Sequence, residues 1–183
     1  MTSNKLVLIL LDADVTIHLF KADKISLLNI LFPDRVRMLD IVLSELLKSP
    51  TMRSDVENLF HFKQVVEITF PTTSNPQLFK EYISLKNIIK GPGERACLLY
   101  CKYYQHIIAS SNTKDIKPYC EEHSIAYLTT LDILVIAIHR GKLTNQEANE
   151  CIKKITFNDQ SYLCCSTIEE HKAKHFDTSK LLY

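Results

Sequence analysis

The chain has 183 residues, 46% hydrophobic and 23% charged, a size and balance that suit one globular domain with a real core. A net charge of +1 excludes a globally basic nucleic-acid coat, while a local basic strip stays compatible with a nucleic-acid substrate. Only three glycines are present and no GxxxxGK[ST] segment, so a phosphate loop of the P-loop type is excluded.

The first element is marked by "KLVLILLD", an uninterrupted run of leucine and β-branched residues. Such a run predicts a strand covered on both faces, and hence a parallel sheet between helices. The apolar part is too short for a signal-peptide core or a membrane span and ends on two acids, Asp12 and Asp14. A cytoplasmic protein without membrane contact is expected. Helical patterns follow over 24–32 and 36–48, then a second strand, "QVVEITF", over 64–70. Helices are expected at about 77–89 and 93–104, and "QHIIASS" (105–111) and "SIAYLTT" (124–130) read as strands separated by a helix over 113–122. Further helices occupy 131–140 and 144–155. Residues 156–183 are less regular, with one short strand around 160–165 and a charged, histidine-bearing tail.

Strands alternating with helices predict an α/β fold: a three-layer sandwich with a mainly parallel central sheet flanked by helices. Boundaries fall at "FPD" (32–34), "SPT" (49–51), "PTTSNP" (71–76) and "GPG" (91–93), all turn chemistry and none long enough to be a linker. A single domain over 1–183 is expected, with 156–183 as a C-terminal extension.

Six cysteines form no CxxC pair, and a reduced state suits the expected compartment. Cys97 and Cys101 stand one helical turn apart, as buried small apolar residues would. Cys164, Cys165, His171 and His175 offer soft metal ligands late in the chain. Their spacing matches no common zinc finger, and a tail helix with histidines at i and i+4 is the simpler account.

In open α/β sheets, ligands bind beyond the carboxyl ends of the strands, which is where Asp12 closes the first strand. Its plainer role, shared with Asp14, is to start a turn or cap the next helix. Glu45 lies in "VRMLDIVLSELLK" beside the stripe of Val42 and Leu46, where its carboxylate needs a partner; Lys48, three residues on, is the simple one. Glu94 opens a helix after "GPG", whose glycines fix where that acid points, although any acid in a first turn complements the helix dipole. Asn112 and Asp115 follow the third predicted strand in "IIASSNTKDI", again as ligands or as cap residues. Four distant segments thus each place an oxygen ligand at a strand end or helix start. Carboxylates gathered there repel unless a hard cation sits among them, and such oxygen-rich sites suit Mg²⁺ or Mn²⁺ and phosphodiester hydrolysis.

The order of these segments resembles that of PIN-domain nucleases. "LLDADVTI" resembles their first strand end, "IVLSELLK" the helix with the second acid, and "GPGERACLLYCKYY" the GxGE helix of one PIN branch. "IIASSNTKDIKPYCEEHSIAYLTTLDILVIAIHRGKLT" is similar to that branch's closing segments, and the likeness covers roughly residues 5–150. It implies Asp12, Glu45 and Glu94 as metal-binding carboxylates, with Asn112 or Asp115 completing the pocket. It further implies Mg²⁺- or Mn²⁺-dependent cleavage of RNA, often by the toxin of a toxin-antitoxin pair, with a small antitoxin as inhibiting partner and a homodimer as assembly. Two positions depart from the pattern: Asp14 stands where asparagine is usual, and "SSN" where many relatives carry a further aspartate. Lys21, Lys24, Arg35, Arg37, Lys48, Lys90 and Arg95 offer a basic rim for phosphates, or simply solvated helix faces.

"DADVT" also satisfies the DxDxT pattern of haloacid-dehalogenase-like phosphatases, which implies an aspartyl-phosphate mechanism at Asp12. No later strand ends in the paired acids that such a magnesium site needs, since only Asp132 follows "SIAYLTT". A PIN fold that binds without cleaving is the third reading, motivated by "SSN".

Overall fold

The computed structural model describes residues 6–157 and 161–183. Ile9–Leu11 (β1) is buried on every residue, as the continuous apolar run demands. It lies at the centre of a five-stranded, all-parallel sheet with Val36–Leu39 (β2), Val66–Ile68 (β3), Ile107–Ala109 (β4) and Tyr127–Leu128 (β5), in the order β3-β2-β1-β4-β5. The registers place Ile9 beside Val36 on one side and beside Ile107 on the other. Chain order therefore reverses direction at β1, between β2 and β4, and a crevice opens beyond the carboxyl ends of β1 and β4.

Helices cover both faces of the sheet, giving the three-layer α/β architecture that the alternating pattern predicts. Ala13–Lys21 (α1), Leu27–Leu31 (α2), Thr130–His139 (α8), Asn145–Thr156 (α9) and Ile168–Lys174 (α10) form one group of mutually packed helices. Asp40–Leu46 (α3), Pro50–His61 (α4), Pro76–Ser84 (α5), Pro92–Tyr104 (α6) and Thr113–Glu122 (α7) form the other, with α6 lying against β1, β2 and β4. Short 3₁₀ turns occupy Leu85–Asn87 and Thr178–Leu182. Ile9, Leu10, Leu11, Leu98, Ile108 and Leu134 are fully buried between these layers. Each side chain of this size contributes roughly 2 kcal/mol by leaving water. Among the described residues no helix is long and apolar enough to cross a membrane.

Four elements differ from the expectation. Residues 36–39, read as the start of a helix over 36–48, form β2; the helix begins only at Asp40. Val36, Met38 and Leu39 are buried and fit either period, and pairing between β1 and β3 decides for strand. The Asp40 carboxylate then starts α3 by accepting from Ile41 N at 2.9 Å and from Phe70 N at 3.0 Å. Helix α1, absent from the predicted set, begins directly after Asp12, and its β-branched Val15, Thr16 and Ile17 give it only modest helix propensity. Helix α4 starts at Pro50, so "SPT" is a helix N-terminus with proline in the first turn rather than a bare turn. "SNP" and "GPG" work the same way: Asn75 caps α5 through Leu78 N, and Gly91 precedes Pro92 of α6. The strand expected around 160–165 is absent from 161–165, and 158–160 lie outside the described residues.

Candidate functional site

Asp12 is the last residue before α1, and its backbone N–H donates to Ala109 O at 2.9 Å, which ties it to the end of β4. One carboxylate oxygen accepts from Ala13 N at 2.8 Å. The capping role and the strand-end role therefore coincide in one buried side chain, 5% exposed. Asp14, two residues on, reaches across to the end of β4. Its Oδ2 accepts from Ser111 N at 2.8 Å and from Ser110 Oγ at 3.5 Å, and its Oδ1 from Val15 N.

The other acids arrive from the opposite helix layer. Glu45, half-buried on α3, accepts from Gly93 N at 3.1 Å, so its partner is α6. That approach needs glycine at 93: a Cβ there would lie 2.6 Å from Glu45 Oε2 and 3.0 Å from Val42 Cγ2. Glu94 is 5% exposed, and its Oε1 is buried without a hydrogen-bond partner. Leaving such an oxygen unsatisfied costs about 1–3 kcal/mol or more. Asn112 and Asp115 are exposed at the start of α7, where the Asn112 amide donates to Asp115 Oδ2 at 3.0 Å.

Burial, with like charge beside it, pushes Asp12, Asp14 and Glu94 upward. Burial, then the charges of Asp12, Asp115 and Asp14, raise Glu94 to about 8. Burial, then Asp14, raise Asp12 to about 7, with Glu45 adding to the shift and the Ala13 N–H offsetting part of it. Burial also raises Asp14, against the hydrogen bonds from Ser111 and Val15. Asp12, Asp14, Glu45, Glu94 and Asp115 thus act on one another electrostatically, with Asn112 beside Asp115 and Glu94, although no three of these carboxylates bring oxygens within 4.8 Å of one another.

A cleft of about 690 Å³ opens on this cluster, lined by Asp14, Glu45, Asn112, Lys21, Lys114 and His18 among others. His18 is held by Thr130 Oγ1 at 2.9 Å, and Thr130 by Ser111 Oγ at 2.8 Å, so α1, α8 and the β4 end share one hydrogen-bonded wall. Burial, then Lys21, lower His18 to about 4, so this wall is uncharged at neutral pH. The sequence carries no spacing signal for His18, since its partner lies 112 residues away. Of the expected basic rim, Lys21 lines the cleft. Arg35 instead bonds the backbone oxygens of Val7 and Tyr183, and Arg95 is buried, bonding Ile89 O at 2.6 Å and stacking on Tyr82.

Hard oxygen donors beyond two strand ends, one of them buried and unpartnered, are of the chemical kind that Mg²⁺ or Mn²⁺ takes, and their oxygens would have to draw closer to hold one. Asp12, Glu45 and Glu94 would hold it, with Asp14, Asn112 and Asp115 around them. Replacing Gly93 tests the geometry without removing a ligand. Gly93→Ala is expected to push the flexible Glu45 carboxylate off Gly93 N and weaken Mn²⁺ binding by about 10- to 100-fold. The far-ultraviolet circular dichroism should stay unchanged, and calorimetric titration of the two proteins measures the loss. Compared with family models, curated proteins and solved structures, the chain matches none of them.

Proposed function

We propose that the protein is a divalent-metal-dependent ribonuclease of the PIN type. The observation that carries this reading is the buried, unpartnered Glu94 Oε1 among the carboxylates of Asp12, Asp14 and Glu45. Mg²⁺ or Mn²⁺ bound there would activate a water and offset the charge that develops on a phosphodiester in the transition state. The chain's own residues prepare that event. Gly93 N–H orients Glu45, the Ala13 N–H orients Asp12, and the Ser111 N–H holds Asp14 against the end of β4. Asp14 thereby supplies, from α1, the negative charge that "SSN" withholds at the β4 end. The two departures from the PIN pattern compensate one another.

The open cleft, with Lys21 and Lys114 at its wall, suits a polyanion. RNA as substrate, a toxin role, an antitoxin partner and a homodimer follow from the resemblance in segment order. The phosphatase reading is weakened by Asp132. Its two oxygens are engaged by His171 at 2.9 Å and Lys180 at 2.7 Å, away from Asp12. The test uses purified full-length chain with 5′-labelled RNA, with Mn²⁺ or EDTA, beside a generic phosphomonoester. The expected result is Mn²⁺-dependent RNA cleavage and no phosphate release. Metal-independent RNA binding without cleavage would leave the non-catalytic PIN reading. Phosphomonoester turnover abolished by Asp12→Asn would establish the phosphatase.

A further inference from the structure

The C-terminal segment carries a second cluster, distinct in place and in chemistry from the carboxylates. The sulfurs of Cys164 and Cys165 and a ring nitrogen of His175 all lie within 4.8 Å of one another. His171, one turn before His175 on α10, brings its Nδ1 to 3.9 Å from Cys164 Sγ. We propose that Cys164, Cys165, His171 and His175 form a zinc site that fastens the segment before α10 to that helix, with Asp132 of α8 supporting it from behind.

His171 carries the strongest part of the argument. It is 2% exposed, and its Nε2 meets the fully buried carboxylate of Asp132 at 2.9 Å. With Nε2–H donating to Asp132, the tautomer leaves Nδ1 as a lone pair directed toward the cysteines. A carboxylate behind a histidine is the usual support of a metal-ligating imidazole. Asp132 is itself fixed, by Lys180 at 2.7 Å and by Thr129 N–H at 2.8 Å within the cap of α8. The segment order alone hides this, because 39 residues separate Asp132 from His171.

Two sulfurs and two imidazole nitrogens are the donor set of a closed tetrahedral zinc site and a poor one for Mg²⁺. Zn–S of about 2.3 Å and Zn–N of about 2.0 Å place tetrahedral donors roughly 3.3–3.8 Å apart, so Cys164, Cys165 and His175 close by rotations of about an ångström, while His171, outside their 4.8 Å group, is joined by a larger movement of the others toward it. Cys164 and His175 are exposed, which gives the ion an entry path, while Cys165 and His171 are buried behind them. On binding, each thiol releases its proton and both histidines bind neutral. The two thiolates then balance the ion, and Lys174 and Lys180 line the same cavity of about 310 Å³. A thiol nucleophile activated by His171 would use Cys164 alone and leave the convergence of Cys165 and His175 without purpose.

Co²⁺ is the probe, added to reduced, chelator-stripped full-length chain. One equivalent is expected to give a thiolate-to-cobalt charge-transfer band and tetrahedral d–d absorption, both removed by Zn²⁺. Cys97 is buried beside the carboxylate cluster, and a band arising there would survive the loss of Cys164 and Cys165. The Cys164→Ser/Cys165→Ser pair should abolish the expected band, and His175→Ala should weaken binding about tenfold or more. Asp132→Asn should weaken it by about 10- to 100-fold, with circular dichroism confirming the fold of each variant. Absence of the band in the reduced wild-type chain overturns the proposal, as does a band that survives the double serine change. Metal-free hydrolysis of a thioester probe, lost in Cys164→Ser but kept in Cys165→Ser, overturns it in favour of a thiol nucleophile.

Discussion

Asp12→Asn is expected to lose at least about 100-fold in Mn²⁺-dependent RNA cleavage while making the metal-free chain more stable. The two effects have one cause. Asp12 is buried against Asp14, with the charges of Glu45 and Glu94 acting on the same space, so its ionised form is unfavourable until a cation arrives. An asparagine there keeps an oxygen that can accept from Ala13 N–H, so the start of α1 survives. It removes the anion that the cation needs. A single-turnover cleavage assay and a melt in EDTA at pH 8 read the two effects on the same preparation. Lower stability together with lower activity would mean that Asp12 is chiefly a structural cap. A site that trades stability for function should show the opposite signs.

The second large effect is the response of the metal-free chain to pH. Asp12 and Glu94 titrate near 7 and 8 in the folded chain, well above the ordinary values of 3.8 and 4.5 that they regain on unfolding. Between these limits the folded chain holds protons that the unfolded chain has already lost. Their contribution to stability is therefore complete below about pH 4 and disappears as pH rises through about 7 to 8. At pH 9 both groups are ionised and crowded. A loss of only about 2 kcal/mol would lower the melting midpoint by about 4–8 °C in a chain of this size. Other carboxylates, such as Glu81 held low by Lys102, Tyr119 and Tyr103, favour the opposite trend below about pH 5. The diagnostic window is thus pH 6 to 9. Saturating Mg²⁺ should restore the midpoint at pH 9 and do little at pH 6, which differential scanning fluorimetry can follow. A midpoint that is flat across this window with EDTA present would contradict the crowding.

Much of this site was legible because its residues stand next to strong local signals. Asp12 ends the most apolar run in the chain, and Glu94 follows a Gly-Pro-Gly that has few uses other than starting a helix. Glu45 was legible as a carboxylate beside an apolar stripe, but not its partner. The Gly93 N–H lies 48 residues away, and only the packing of α3 on α6 joins them. Asp14 was undervalued for the same reason. Its worth depends on Ser111, which becomes its neighbour because β4 pairs directly with β1, although the paired residues Leu11 and Ala109 are 98 positions apart in the chain.

Secondary structure failed where two periods fitted the same residues. "VRML" satisfies a helix as well as a strand, and the vacancy between β1 and β3 made the choice. Proline misled in another way. Pro50 ends nothing; it opens α4, where its missing N–H is no loss. Three of the four boundary signals turned out to be helix starts of this kind. The pattern of a cap residue followed by proline is the useful lesson from this chain.

Asp12, Glu45 and Glu94 are proposed to hold a hard divalent cation. The most direct test is a calorimetric titration of the chelator-stripped chain with Mn²⁺ in buffers of differing ionisation enthalpy. Metal ligands must be deprotonated, so binding should expel the protons held by Asp12 and Glu94. Saturable binding is predicted, with between one and two protons released at about pH 6.5 and nearly none at about pH 9.5. Glu94→Gln should remove about half of that release. No saturable binding of Mn²⁺, or binding whose proton release ignores both pH and Glu94→Gln, would contradict the account.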